Sequence, residues 1–114
     1  MSDNPIEMEV EPLKIIQELW QEHRAAPFPR RLRGREIDGI DFVMLDADIA
    51  GCVMTFLKQG SLDVFNTAWL GLCYRNACYV VTILYEEGVG HFGRLERLAE
   101  LVLREIHRKS LMQS

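Results

Sequence analysis

The sequence predicts an all-α fold, a small antiparallel helical bundle of about four helices with a central helical hairpin. Three observations carry this. Apolar residues recur at helical spacing in four separate stretches. Proline or glycine marks every break between those stretches. The one segment that reads as a short strand, 35–40, has no second strand to pair with. At 114 residues the chain is one domain's worth, and 48 % hydrophobic with 26 % charged residues is a globular composition. The expected organisation is a flexible acidic segment over 1–11, one bundle domain over 12–109 and a flexible tail over 110–114.

Pro12 suits the first position of a helix, where its missing N–H would be unpaired anyway. The first helix then runs to about His23, carrying Leu13, Ile15, Ile16, Leu19 and Trp20, and Pro27 and Pro29 prevent its continuation. The connecting segment 25–39 holds Phe28 and the cluster Arg30, Arg31, Arg33 and Arg35. Residues 40–58 read as the second helix, capped by Asp38 or Asp41. Its arc of Phe42, Leu45, Ile49, Cys52, Val53 and Phe56 faces a core, and Gly51 within it marks a close approach of another backbone. Gly60 ends it.

Asp63 or Ser61 caps the third helix, expected from Val64 to Glu87 and apolar on most sides. Such a helix is either the centre of the bundle or an oligomer interface. The fourth, 91–109, is the cleanest amphipathic element: Phe92, Leu95, Leu98, Ala99, Val102, Leu103 and Ile106 share one face.

The residue with most chemical content is Asp46, which points into the apolar arc of the second helix. A carboxylate there needs a partner or a proton. A four-residue turn joins the second and third helices, so they pack antiparallel and position 46 falls opposite 76. The candidate polar core or ligand site is therefore Asp46 with Arg75 and Asn76. Its bland alternative is a pin that fixes the register of the hairpin. Arg30, Arg31, Arg33 and Arg35 form a candidate contact for an anion or an acidic partner. Leu70, Tyr74, Val81 and Tyr85 form a candidate oligomer interface, because that face of the third helix is left free by the assumed packing.

Other chemistries find little support. Asp46 and Asp48 point about 200° apart on a helix and cannot share an ion, and Glu96 and Glu100 lie on an exposed face, so no metal is expected. His23, His91 and His107 are scattered near helix ends. The helix dipole accounts for His23 and His107 near C-termini, and His91 at the start of the fourth helix is either a reactive group or incidental. No catalytic triad or nucleotide motif is present, so no cofactor is expected. The formal net charge of −4 argues against nucleic-acid binding. Asp63, Asn66, Arg75 and Asn76 interrupt the longest apolar region and argue against a membrane span. Three cysteines without a disulfide framework fit a reducing, cytoplasmic setting.

Two functions follow. The first is a non-catalytic interaction protein, a regulator, adaptor or inhibitor of a protein partner, itself a homo-oligomer. The second is a small all-α enzyme or ligand-binding bundle that acts on a phosphate- or nucleotide-containing small molecule through Asp46 with Arg75 or Asn76. The balance is set against catalysis.

Overall fold

Helix α1 spans Pro5–Ala25, α2 Phe42–Gln59, α3 Val64–Ile83 and α4 Glu87–Gln113, in a computed structural model that describes residues 5–113. Between α1 and α2 lie a 3-10 turn at Arg30–Leu32 and a two-stranded antiparallel hairpin, β1 (Glu36–Ile37) with β2 (Ile40–Asp41). The architecture is an all-α four-helix bundle with this hairpin inserted.

Several termini are set by the expected chemistry. The Asp41 carboxylate accepts from the Met44 N–H at 2.9 Å and caps α2. Asp63 does the same for α3, accepting from the Asn66 N–H at 2.7 Å. Gly60 takes the left-handed conformation (φ 78°) that ends α2. Lys109 Nζ reaches the Gly60 carbonyl at 2.9 Å, so the far end of α4 is tied to the α2–α3 turn.

Other boundaries differ from the sequence reading. Helix α1 begins at Pro5 and runs through Pro12, at the expense of one backbone hydrogen bond; residues 1–4 of the expected acidic segment lie outside the described residues. The stretch at 35–40 does have a partner. Asp38 (φ 50°) and Gly39 (φ 80°) form a two-residue turn with both central residues at positive φ, pairing Ile37 with Ile40 and Glu36 with Asp41. The Tyr79 hydroxyl donates to the Asp38 carboxylate, which fastens the hairpin to α3.

Helix α3 stops at Ile83, short of Glu87, because Leu84 is extended and Glu86 is left-handed (φ 55°). Helix α4 then starts upstream of the glycines and passes through Gly88, Gly90 and Gly93. The close approach assigned to Gly51 occurs instead at Gly88, where an added Cβ would lie 3.3 Å from Leu32 Cδ1. A Cβ at Gly51 would meet nothing within 4 Å.

The centre of the bundle is α4, in place of α3. It packs against all three other helices, most extensively α3, and buries Phe92, Leu95, Leu98, Ala99 and Val102 completely. Ile16 from α1, Ile49, Val53 and Phe56 from α2, and Leu70, Ala77 and Val80 from α3 close around it. At 27 residues α4 is about 40 Å long, which accounts for most of the 47 Å long axis of the molecule.

Candidate functional site

Each of α1, α2 and α4 places one polar residue on its inward face at the same end of the bundle. His23 lies in the last turn of α1, seven residues after the buried Ile16. Asp46 lies in the second turn of α2, and His91 begins the buried stripe of α4 that continues through Leu95 and Leu98. The two histidines are 5 % exposed; the Asp46 side chain is 18 % exposed.

The three converge. His23 Nε2 is 3.2 Å from Asp46 Oδ1, and His91 Nε2 is 2.6 Å from Asp46 Oδ2. The imidazole centroids are 4.7 Å apart. On their other sides both rings meet one guanidinium. Arg94 Nε donates to His23 Nδ1 at 3.1 Å, and the Arg94 Nη2 is 3.4 Å from His91 Nδ1.

This arrangement fixes the protons. A guanidinium only donates, so the His23 Nδ1 it bonds must be a lone pair, and the same polarity suits His91. Each ring then carries its proton on Nε2 and donates to one oxygen of Asp46. The result is a closed four-residue network in which a carboxylate and a guanidinium compensate each other through two neutral imidazoles. Burial would push the Asp46 carboxyl up, but the hydrogen bonds from His23 and His91 outweigh it. Together they hold the group far below the usual carboxylate range. Among the described residues no buried side-chain nitrogen or oxygen is without a hydrogen-bond partner.

The surroundings are aromatic on one side and basic on the other. Phe28 meets His91 edge-on at 5.1 Å and Phe92 at 6.1 Å, and Arg33 lies 5.3 Å over the Phe28 ring. Trp20 stacks on His23 at 6.0 Å. His91 and Arg94 also form part of the wall of an open cleft of about 720 Å³, with Phe28, Arg30, Arg31 and Glu87. Three guanidinium groups and one carboxylate line this cleft, with Arg31 also 3.7 Å from Glu86 and Arg94 compensated by Asp46 through the imidazoles.

The sequence-derived site is therefore redrawn. Asp46 is in the polar core, but Arg75 and Asn76 are not: both are exposed on α3. Antiparallel pairing does bring position 76 to the α2–α3 groove, whose wall it shares with Leu45, Asp48 and Cys73. Asp46, about 200° round the helix from Asp48, turns instead toward α1 and α4. The arginine cluster divides, with Arg30 and Arg31 on the cleft, Arg33 on Phe28, and Arg35 on a separate groove beside Tyr85. Of the candidate interface, Leu70 is fully buried in the chain's own core, and Tyr74 and Val81 pack against that core, because α4 covers this side of α3. Tyr85 alone of the four is largely exposed.

The residues missed were the histidines and Arg94. The available signal was that His23 and His91 extend apolar stripes, at Ile16+7 and Leu95−4, where a polar side chain needs a partner.

The cluster has two chemical capacities. With Arg94 withdrawn, the Nδ1 of His91 is a base backed by Asp46. The same three side chains also offer donor atoms within 4.8 Å of one another, a grouping able to hold a metal ion. No thiol competes for either role. Cys52, Cys73 and Cys78 are unpaired, and burial, with the nearby Asp48 and Cys52, pushes the Cys73 thiol up to about 12. Among the described residues no helix is long and apolar enough to cross a membrane. No protein-family model matches the chain, and neither a curated protein nor a solved structure matches it significantly.

Proposed function

We propose that the protein binds a small phosphate-bearing molecule in the cleft beside the His23–Asp46–His91 cluster, with Arg94 as the residue that senses it. One observation carries this reading: Arg94 belongs both to the buried network and to the cleft wall it shares with Arg30 and Arg31. Guanidinium groups match phosphate oxygens in pairs, so an anion in the cleft competes with two imidazole lone pairs for Arg94. The ligand-binding alternative is thus favoured over a purely non-catalytic interaction protein, with the histidines replacing Arg75 and Asn76 as partners of Asp46. Three free thiols accord with a reducing, cytoplasmic setting.

Calorimetric titration with methyl phosphate and with adenosine monophosphate tests this. Binding is expected, with at least tenfold loss in Arg94→Gln and in a variant carrying Arg30→Gln with Arg31→Gln. No binding of either ligand to the folded protein would remove the reading.

A specific observation also favours self-association, on a face other than the one first expected. Phe65, Trp69, Leu72 and Tyr79 are 76 %, 41 %, 52 % and 41 % exposed on one side of α3, with Met44 of α2 beside them at 56 %. At about 150–250 Å² per aromatic side chain, they leave roughly 500 Å² of apolar surface bare. That is near the upper end for a monomer and over half of one partner's share of a standard interface. The occupant we assign is a second copy of this chain, with the two α3 faces packed on each other. Light scattering at tens of micromolar is expected to give a dimer that Leu72→Asp converts to monomer; a monomer throughout would exclude it.

A further inference from the structure

The hydrogen-bond polarity of the buried cluster leads to an inference that rests on the cleft reading above. We propose that His23, Asp46 and His91 form a site for a divalent transition metal that Arg94 blocks, and that an oxyanion in the cleft opens.

Two imidazole nitrogens and a carboxylate oxygen are a donor set that suits zinc or ferrous iron, and three protein ligands leave a coordination position open for a ligand. The spacing is close to what such an ion needs. Metal–donor distances near 2.1 Å set neighbouring donors about 3.4 Å apart in a tetrahedral site. His23 Nε2 and Asp46 Oδ1 stand at 3.2 Å, and His91 Nε2 and Asp46 Oδ2 at 2.6 Å. A separation of less than 1 Å at the second pair accommodates the ion. All three residues come from different helices that meet in a packed core, so the donors are held without a mobile loop.

The obstacle is the outer side of each ring. A histidine that coordinates through Nε2 carries its proton on Nδ1 and normally donates it to an acceptor. Here both Nδ1 atoms face Arg94, which has only donors. With Arg94 in place, coordination would set N–H against N–H twice and put a dication close to a guanidinium. Metal and Arg94 are therefore mutually exclusive partners of the imidazoles.

An oxyanion relieves both conflicts by drawing Arg94 away from the two rings. It draws the guanidinium toward Arg30 and Arg31, and its oxygens accept the Nδ1–H that the metal-bound tautomer of His91 presents. The protons balance. Each neutral ring loses its Nε2 proton and gains one at Nδ1 through solvent, and Asp46 is already a carboxylate. Charge balances as well, because a dication on Asp46 leaves one positive charge and the displaced Arg94 guanidinium a second, which a phosphate-monoester dianion offsets. Binding of metal and of oxyanion must then assist each other by the same factor.

Cobalt(II) provides the test, because its visible absorption reports coordination by imidazole and carboxylate. The full-length protein is titrated with cobalt chloride, alone and with saturating methyl phosphate. The expected result is at least tenfold tighter cobalt binding with methyl phosphate present. In Arg94→Gln, whose amide oxygen can accept the Nδ1–H, cobalt is expected to bind as tightly without the anion and to gain nothing from it. His91→Ala is expected to lose the cobalt spectrum in every condition, with its fold checked by circular dichroism. Cobalt binding in neither the native protein nor Arg94→Gln, while methyl phosphate still binds, overturns the proposal and leaves the cleft reading standing. Cobalt affinity indifferent to both methyl phosphate and Arg94→Gln also overturns it. Cobalt binding to Arg94→Gln with no methyl phosphate binding to any form overturns the coupling and the cleft reading together.

Discussion

Asp46 shows how one side chain can be legible in chemistry and illegible in geometry. Its place on an apolar arc announced a need for partners, but helical periodicity gives a direction around one axis and does not say which neighbour stands there. The partners came from residues 23 and 45 positions away. Both sit near helix ends, where the dipole supplied a sufficient local reason for His23 at a C-terminus, and where a lone histidine such as His91 at an N-terminus reads as incidental. The same geometry gives a signed pH prediction. A carboxylate whose pKa falls on folding stabilises the native state above its unfolded value of about 3.9, and that stabilisation drains away as the pH drops below about 5. Asp46→Asn cannot repair the network, since its amide NH₂ faces one of the two Nε2–H donors while Arg94 keeps both Nδ1 lone pairs occupied. Urea unfolding at pH 7 should show a loss of about 2–3 kcal/mol. The difference between native and variant protein should shrink steadily from pH 5 toward pH 2; a constant difference across that range would mean that Asp46 is not held ionised by the histidines.

At the scale of elements, capping chemistry was the most readable part of the chain. Asp41, Gly60 and Asp63 act where their side chains or backbone freedom place them. The hairpin was missed although its turn, Asp38-Gly39, is a strong two-residue signal, because strands of two residues have no periodicity to detect. Glycine was misread in the opposite sense. Gly88 and Gly90 read as breaks from sequence, yet they are helical, since the turn is completed just before them by Leu84 and Glu86. Gly51 read as a contact point, yet it faces open space. Gly51→Ala should therefore stabilise the protein by about 1 kcal/mol, as helix propensity alone dictates. A rise in Tm of about 4 °C by calorimetry is the expected outcome, whereas a fall would mean that a neighbouring backbone or side chain does need that space.

The whole molecule is organised around α4, and this was the part least accessible from sequence. Helix α3 has the more continuous apolar surface, so composition nominated it as the centre, but a helix can be apolar on a side that its own chain leaves open. What makes α4 central is that a single clean stripe is wide enough to meet α1, α2 and α3 together. Helix α1 has little contact with α2, so it is held to the bundle mainly through α4, by Ile16 in the core and by the His23–Arg94 contact at one end. A cavity in the α4 stripe should then loosen α1 and α3 together, although they have little contact with each other. Leu98 is completely buried on that stripe, and Leu98→Ala should cost about 2–5 kcal/mol, against less than about 1 kcal/mol for Ile15→Ala on the 45 % exposed flank of α1. The chain has two tryptophans, Trp20 on α1 and Trp69 on α3, so a Trp69→Phe background isolates the α1 signal and a Trp20→Phe background the α3 signal. In Leu98→Ala the two fluorescence transitions should move to lower urea by the same amount and coincide with the loss of helical circular dichroism. An earlier transition at Trp20 alone would show that α1 unfolds independently and that α4 does not bind the helices into one cooperative unit.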